Sequence, residues 1–197
     1  MWQLCGKGIS GRGVENQRLN HFCMDIVPIL SQRINLPDIR RIVTFCVANE
    51  ESREILWHLV LSADRTVSVN ALWVLTHFDS SHRDWIVARR DELTDILIEA
   101  TDVAKKRILL QLLRDMEYEP DDIRTDLLDF CLSKINSECE PYAIRAFSIY
   151  LAFKLCRHYP ELVAELEEHL TMLTQQAMSP GLICARNKTI IAIERLR

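Results

Sequence analysis

Glycine is scarce in this chain, five residues in 197, and four of the five stand within the first 13. Beyond them only Gly181 remains, so no later segment has the spacing that lets backbone N–H groups close around a phosphate. The early group, "LCGKGISGRG" at residues 4–13, does contain Gly6-x-Gly8-x-x-Gly11. A dinucleotide-binding turn of that spacing works because a buried strand enters it and a helix leaves it. Only Met1, Trp2, Gln3, Leu4 and Cys5 precede Gly6, too few for a paired strand, and the order of Lys7 and Ser10 does not fit a P-loop. Residues 1–16 are therefore expected to be a flexible, Gly-rich basic tail, with Met24 as an alternative start where the regular pattern opens.

Other absences narrow the class further. No segment alternates β-branched and polar residues as a strand would, and no apolar run approaches the length of a membrane span. Lysine and arginine total 24 against 28 acids, a formal charge of -4, which excludes a uniformly basic nucleic-acid binder. The seven cysteines, an odd number with no C-x-x-C pair, are expected to be structural thiols in a reducing cytoplasm. Six histidines show neither H-x-x-x-H nor H-E-x-x-H, and there is no G-x-S-x-G elbow. No catalytic residue, metal site or cofactor is expected. The acidic runs "EYEPDD" and "ELEEH" read as solvated helix starts and faces.

What is abundant is helical periodicity, in a chain 48% hydrophobic and long enough to bury a core. Pro37, Pro120, Pro141, Pro160 and Pro180 each stand at the front of an apolar-periodic stretch, where a missing N–H costs nothing. Pro28 either starts a helix or kinks one begun near Asn16, and the kink is the reading taken. Ten helices are expected, near residues 17–34, 37–48, 50–61, 65–78, 83–99, 102–116, 120–135, 140–157, 160–177 and 180–196. Linkers of two to five residues, such as "SAD" and "DSSH", force neighbours into antiparallel hairpins. "VNALWVL" and "AIRAFSIYLAFKL" are apolar nearly all round and predict helices packed on two sides. Residues 17–197 read as one domain.

The second helices repeat. Asn70, Arg107, Arg145 and Arg186 fall at intervals of 37, 38 and 41, each among aliphatic or small residues. On these residues the chain resembles the HEAT-like (armadillo-type) α-helical repeats, which place an aspartate in the intra-repeat turn and an arginine about six residues later. Asp64 stands six before Asn70, Asp102 five before Arg107 and Glu140 five before Arg145, while Ser179 replaces the acid before Arg186. The resemblance implies an all-α, right-handed α-α superhelix, a solenoid in which Asp64, Asn70, Arg107 and Arg186 belong to an internal hydrogen-bond ladder.

Charge separates by helix type. The four second helices from residue 65 onward sum to +8, and the first helices from residue 50 onward to -10. An electropositive concave face is therefore expected, with Lys105, Lys106, Arg145 and Lys188 as direct contacts to an acidic protein or peptide. The competing reading ties these cations to turn acids and helix C-termini. The alternative function is a nucleic-acid-binding solenoid, since the chain also resembles the alkylation-repair DNA glycosylases in its helical repeats and basic second helices. Trp57, Trp73 and Trp85, with Asp79 and Asp84 nearby, are the residues from which an aromatic cleft with a carboxylate would be drawn. Their positions favour core for Trp73 and Trp85 and a helix cap for Asp79.

Overall fold

The structure, a computed structural model, describes residues 24–175 and 177–197. The glycine group at 6–13 and the expected helix start near residue 17 lie outside the described residues. Among the described residues the elements are α1 Val27–Leu30, α2 Leu36–Ala48, α3 Glu50–Val60, α4 Arg65–Leu75, α5 Arg83–Val87 and α6 Arg90–Glu99. They continue with α7 Val103–Arg114, α8 Thr125–Ile135, α9 Tyr142–Cys156, α10 Pro160–Met172 and α11 Pro180–Glu194. There is no strand among them.

The helices begin where the chain supplies a cap. Asn35 and Asp38 form a reciprocal capping box at α2, at 3.0 and 3.2 Å. The side chains of Asn49, Asp64, Asp102 and Ser179 accept N–H groups at the starts of α3, α4, α7 and α11. Each such cap is worth about 1 kcal/mol. Prolines 37, 160 and 180 occupy first-turn positions, Pro120 opens a 3-10 turn before α8, and Pro141 is the residue before α9.

Two expectations change. Pro28 does not kink a long helix; it sits in the first turn of the short α1, which stops at Leu30 rather than near residue 34. The expected helix over 83–99 is two helices broken at Ala88 and Arg89. At the break the Arg89 guanidinium, held by the distant Glu54, donates to the Trp85 carbonyl at 3.0 Å, the acceptor its own backbone N–H would use in a continuous helix. That N–H turns instead to Ile86, at 3.0 Å.

Packing follows a two-row plan. The second helices stack in chain order, α4 on α7, α7 on α9 and α9 on α11, while α6 packs on α8 and α8 on α10 in the other row. The core lies between the rows, and Leu72, Leu93, Leu109, Leu113, Cys131, Ile149, Leu155 and Leu166 in it are fully buried. Burying one such leucine contributes about 2 kcal/mol. As its composition predicts, α9 is enclosed from several sides: Ile144, Arg145, Ser148, Ile149, Leu151, Ala152, Leu155 and Cys156 are all buried.

Polar bonds between units recur about one repeat apart. Arg65 reaches Asp102 at 2.6 Å, Lys106 reaches Glu140 at 2.6 Å, Arg90 reaches Asp122 at 2.5 Å and Arg124 reaches Asp95 at 2.7 Å. The Trp57 indole donates to Glu92 and the Trp85 indole to Glu54, both at 3.2 Å, and Arg89 pairs with Glu54 while stacking 3.8 Å from the Trp85 ring centroid. Much of the charge segregated by helix type is thus consumed in joining units.

Candidate binding face on the second helices

The second-helix row is where the expected contact residues must be found, and they meet different fates. Arg145 is only 2% exposed, and its Nε donates to the Ile135 carbonyl at 2.9 Å, at the end of the first helix of its own hairpin. Its expected role as a direct contact is corrected: the guanidinium satisfies a helix C-terminus that has no intrahelical partner. Lys106 is also withdrawn from solvent, its side chain 12% exposed against Glu140 at 11%. Lys105 is half-buried and Lys188 exposed, and neither side chain has a hydrogen bond or ion pair among the described residues.

The expected ladder is only partly built. Arg186 donates to the Leu170 carbonyl at 2.7 Å, matching Arg145 one unit earlier. Asn70 takes the same kind of place with two amide donations, to the Leu30 carbonyl at 2.8 Å and the Gln32 carbonyl at 2.9 Å. Asp64 caps its own helix through the N–H groups of Thr66 and Val67. Arg107 departs from the pattern: it is exposed, with no hydrogen bond or ion pair from its side chain among the described residues. Its neighbour Lys106 takes the carboxylate of Glu140, and one residue further round α7 the side chain faces water.

Aromatic side chains lie among these cations, a feature the sequence reading passed over by treating α9 as apolar all round. Phe147, Tyr150 and Phe153 are only half-buried. The Arg114 guanidinium lies 4.8 Å from the Phe147 ring centroid, a contact worth about 0.5–1 kcal/mol where exposed. Tyr150 and Phe153 line an open groove with Arg114, Lys154, Arg157 and Lys188. Burial, reinforced by the neighbouring Cys184, pushes the Tyr150 phenol above its ordinary pKa. Lys154 is held by the Met116 carbonyl at 2.7 Å and Glu117 at 3.0 Å, and Arg157 reaches the same carboxylate at 3.6 Å. The spacing 147, 150, 154 on one helix was the available signal.

A model of the HEAT repeat domain matches residues 27–193. The chain belongs to the HEAT repeat family. No curated protein and no solved structure matches it. In the HEAT repeats here Arg145 and Arg186 cap a carbonyl of the first helix of their own hairpin, while Asn70, reaching Leu30, and acids that reach backward to the preceding unit, Asp102 to Arg65 and Glu140 to Lys106, join neighbouring units.

The three tryptophans are not gathered in one cleft of this HEAT repeat array. Trp57 and Trp85 meet edge to face at 6.3 Å, and Trp73 sits edge-on to His77 at 6.1 Å. Asp79 accepts the Ser81 N–H at 3.1 Å and caps a 3-10 turn, and its bonds to the Ser81 hydroxyl and His82 hold its carboxyl down at about 2. Among the described residues no His, Cys, Asp or Glu cluster could hold a metal ion, and no helix is long and apolar enough to cross a membrane.

Proposed function

We propose that this chain is a binding or scaffold module that takes an acidic protein or peptide along its second helices. HEAT repeats generally mediate protein–protein contacts. The observation that carries the acidic-partner reading is selective: within α7, α9 and α11 most cations are paired or bonded to carbonyls, yet Lys105, Arg107 and Lys188 have no such partner among the described residues. A base held by a carboxylate offers little to a ligand, whereas an unpaired one lowers the cost of bringing an acid to the surface. The half-buried Tyr150 and Phe153 add apolar area beside Lys188 in one groove, as interface cores require.

Titration of a fluorescein-labelled peptide of alternating glutamate and phenylalanine, by anisotropy at low and moderate salt, tests this. Binding that weakens with salt is expected, and the triple change Lys105→Glu, Arg107→Glu, Lys188→Glu should weaken it about tenfold or more, at least ~1.4 kcal/mol. Binding indifferent to all three changes would remove the reading. Labelled single-stranded and duplex DNA are the parallel arm, because cations beside aromatic rings also suit stacked bases. Tighter, steeply salt-dependent DNA binding would favour nucleic acid instead.

A further inference from the structure

Two cations on α7 and α11 stand on either side of an aromatic floor on α9. On α7, Arg107 lies seven residues before Arg114 and so on the same face. The Arg114 guanidinium lies 4.8 Å from the Phe147 ring centroid on α9. From the other side Tyr150 neighbours Cys184 on α11, and Lys188 follows Cys184 by one helical turn. Arg114, Tyr150, Phe153 and Lys188 line one open groove. The order across the three helices is thus cation, ring, cation, and α9, which supplies the rings, has α7 packed on one side and α11 on the other.

The cations of this face are not equal. Arg114 pairs with Asp115 at 2.7 Å, and Lys154 and Arg157 share Glu117. An acid brought to any of these competes with a carboxylate already in place. Arg107 and Lys188 have no such partner among the described residues, so a ligand's acids gain most at those two points. Helix geometry sets the distance between them. Packed helices lie about 8–10 Å apart, which puts α7 and α11 about 18 Å apart across α9. Lys188 shares its groove with Arg114, and Arg107 lies about 10 Å nearer the N-terminal end of α7. The diagonal from Arg107 to Lys188 is therefore about 20 Å and crosses α9 near Phe147 and Tyr150. An extended chain, at about 3.3 Å per residue, covers that span in about six residues. A helix laid along the same line would need about 13 residues and would present several turns of apolar side chain to a floor one helix wide.

We propose, on the basis of the acidic-partner reading, that the partner docks as an extended segment crossing α7, α9 and α11. Two of its acidic residues, about six apart, meet Arg107 and Lys188. An apolar side chain midway between them lies over Phe147 and Tyr150. The two charge contacts set the register of the segment, and the rings supply the apolar burial between them. A segment too short to span both cations keeps only one contact, so the spacing of the acids, and not their number alone, selects the partner.

Anisotropy at low salt, with fluorescein-labelled peptides of one composition and the full chain, tests this. Each peptide carries two glutamates and one phenylalanine midway between them in a glycine–serine background, and the separation of the glutamates runs from about two to about 13 residues. A further peptide carries a single glutamate. Affinity is expected to peak at a separation of about six, about fivefold above the most closely spaced peptide, as one added exposed ion pair allows. Arg107→Gln and Lys188→Gln, both at exposed positions and checked for folding by circular dichroism, should each remove the peak and leave the affinity of the single-glutamate peptide. Equal binding at every separation, a peak at about 13, or a peak that survives either substitution would overturn the extended crossing and leave the acidic-partner reading in place. Binding by none of the peptides would remove both.

Discussion

Lys106 Nζ lies 2.6 Å from Glu140 Oε1 across 34 residues of sequence, and the two side chains are 12% and 11% exposed. A pair so dry joins two units but has surrendered most of its hydration. Removing Glu140 leaves Lys106 charged and unpaired, and removing Lys106 leaves Glu140 with only the longer contact to Lys134 at 3.7 Å, so Lys106→Met or Glu140→Gln is expected to cost about 3 kcal/mol, read from urea unfolding. The double change Lys106→Met with Glu140→Leu should cost clearly less. A double variant as unstable as the sum of the singles would show that the pair is not coupled.

Arg107 and Arg145 hold equivalent repeat positions and should behave oppositely. Arg145→Ala strips the Ile135 carbonyl of its donor and leaves a gap in a buried helix, an expected loss of about 3 kcal/mol. Arg107→Ala, at an exposed site, should stay within about 0.5 kcal/mol of wild type. Thermal melts of the two variants side by side check this; similar losses in both would contradict the assignment.

Acid should loosen the junctions between units. The Arg90 guanidinium holds Asp122 below the ordinary carboxylate range, and the Lys154 ammonium does so for Glu117. A folded-state pKa below the unfolded value gives stability that is fully present above the unfolded pKa, roughly pH 4. It is lost as pH falls through the lower folded value. The melting temperature is thus expected to drop below about pH 4, and Arg90→Gln should make that drop shallower. An unchanged slope in Arg90→Gln would count against the Arg90–Asp122 linkage.

Thiol reactivity should divide the described cysteines cleanly. Cys139 and Cys184 are exposed, whereas Cys46, Cys131 and Cys156 are buried. Burial pushes the Cys46 and Cys156 thiols up to about 12. Raising the pH over the mildly alkaline range therefore should not recruit them. Alkylation followed by peptide mass mapping is expected to label Cys139 and Cys184 in the folded protein and the other three only after denaturation. Labelling of Cys46 at a rate near that of Cys184 would contradict the packing of α2 on α3.

Much of the helical plan was legible because its causes are local. Proline at a first turn, Asn, Asp or Ser at a cap, and apolar residues three and four apart act within one helix, and they located α2, α3, α4, α7, α9 and α11 to within a few residues. The break between α5 and α6 was not legible. It depends on Arg89 meeting Trp85 and the distant Glu54, and no periodicity within 83–99 encodes that meeting. The candidate face was legible as a charge imbalance between helix types, but not in its membership. Arg107 and Arg145 satisfy the same repeat spacing, so the sequence does not distinguish the one that caps a carbonyl from the one that faces water.

The sequence by itself determined that the chain is helical, that its helices pair in hairpins and that the pairs repeat, since those properties follow from short-range periodicity and turn length. Only tertiary structure decided which cations remain available. A lysine's charge is written in the chain, but whether a carboxylate lies within 3 Å of it is set by the stacking of units about 35 residues apart, as with Lys106 and Glu140. Small rotations about a helix axis separate Lys106 from Arg107, and that angle, rather than composition, divides residues that hold the units together from residues that face solvent.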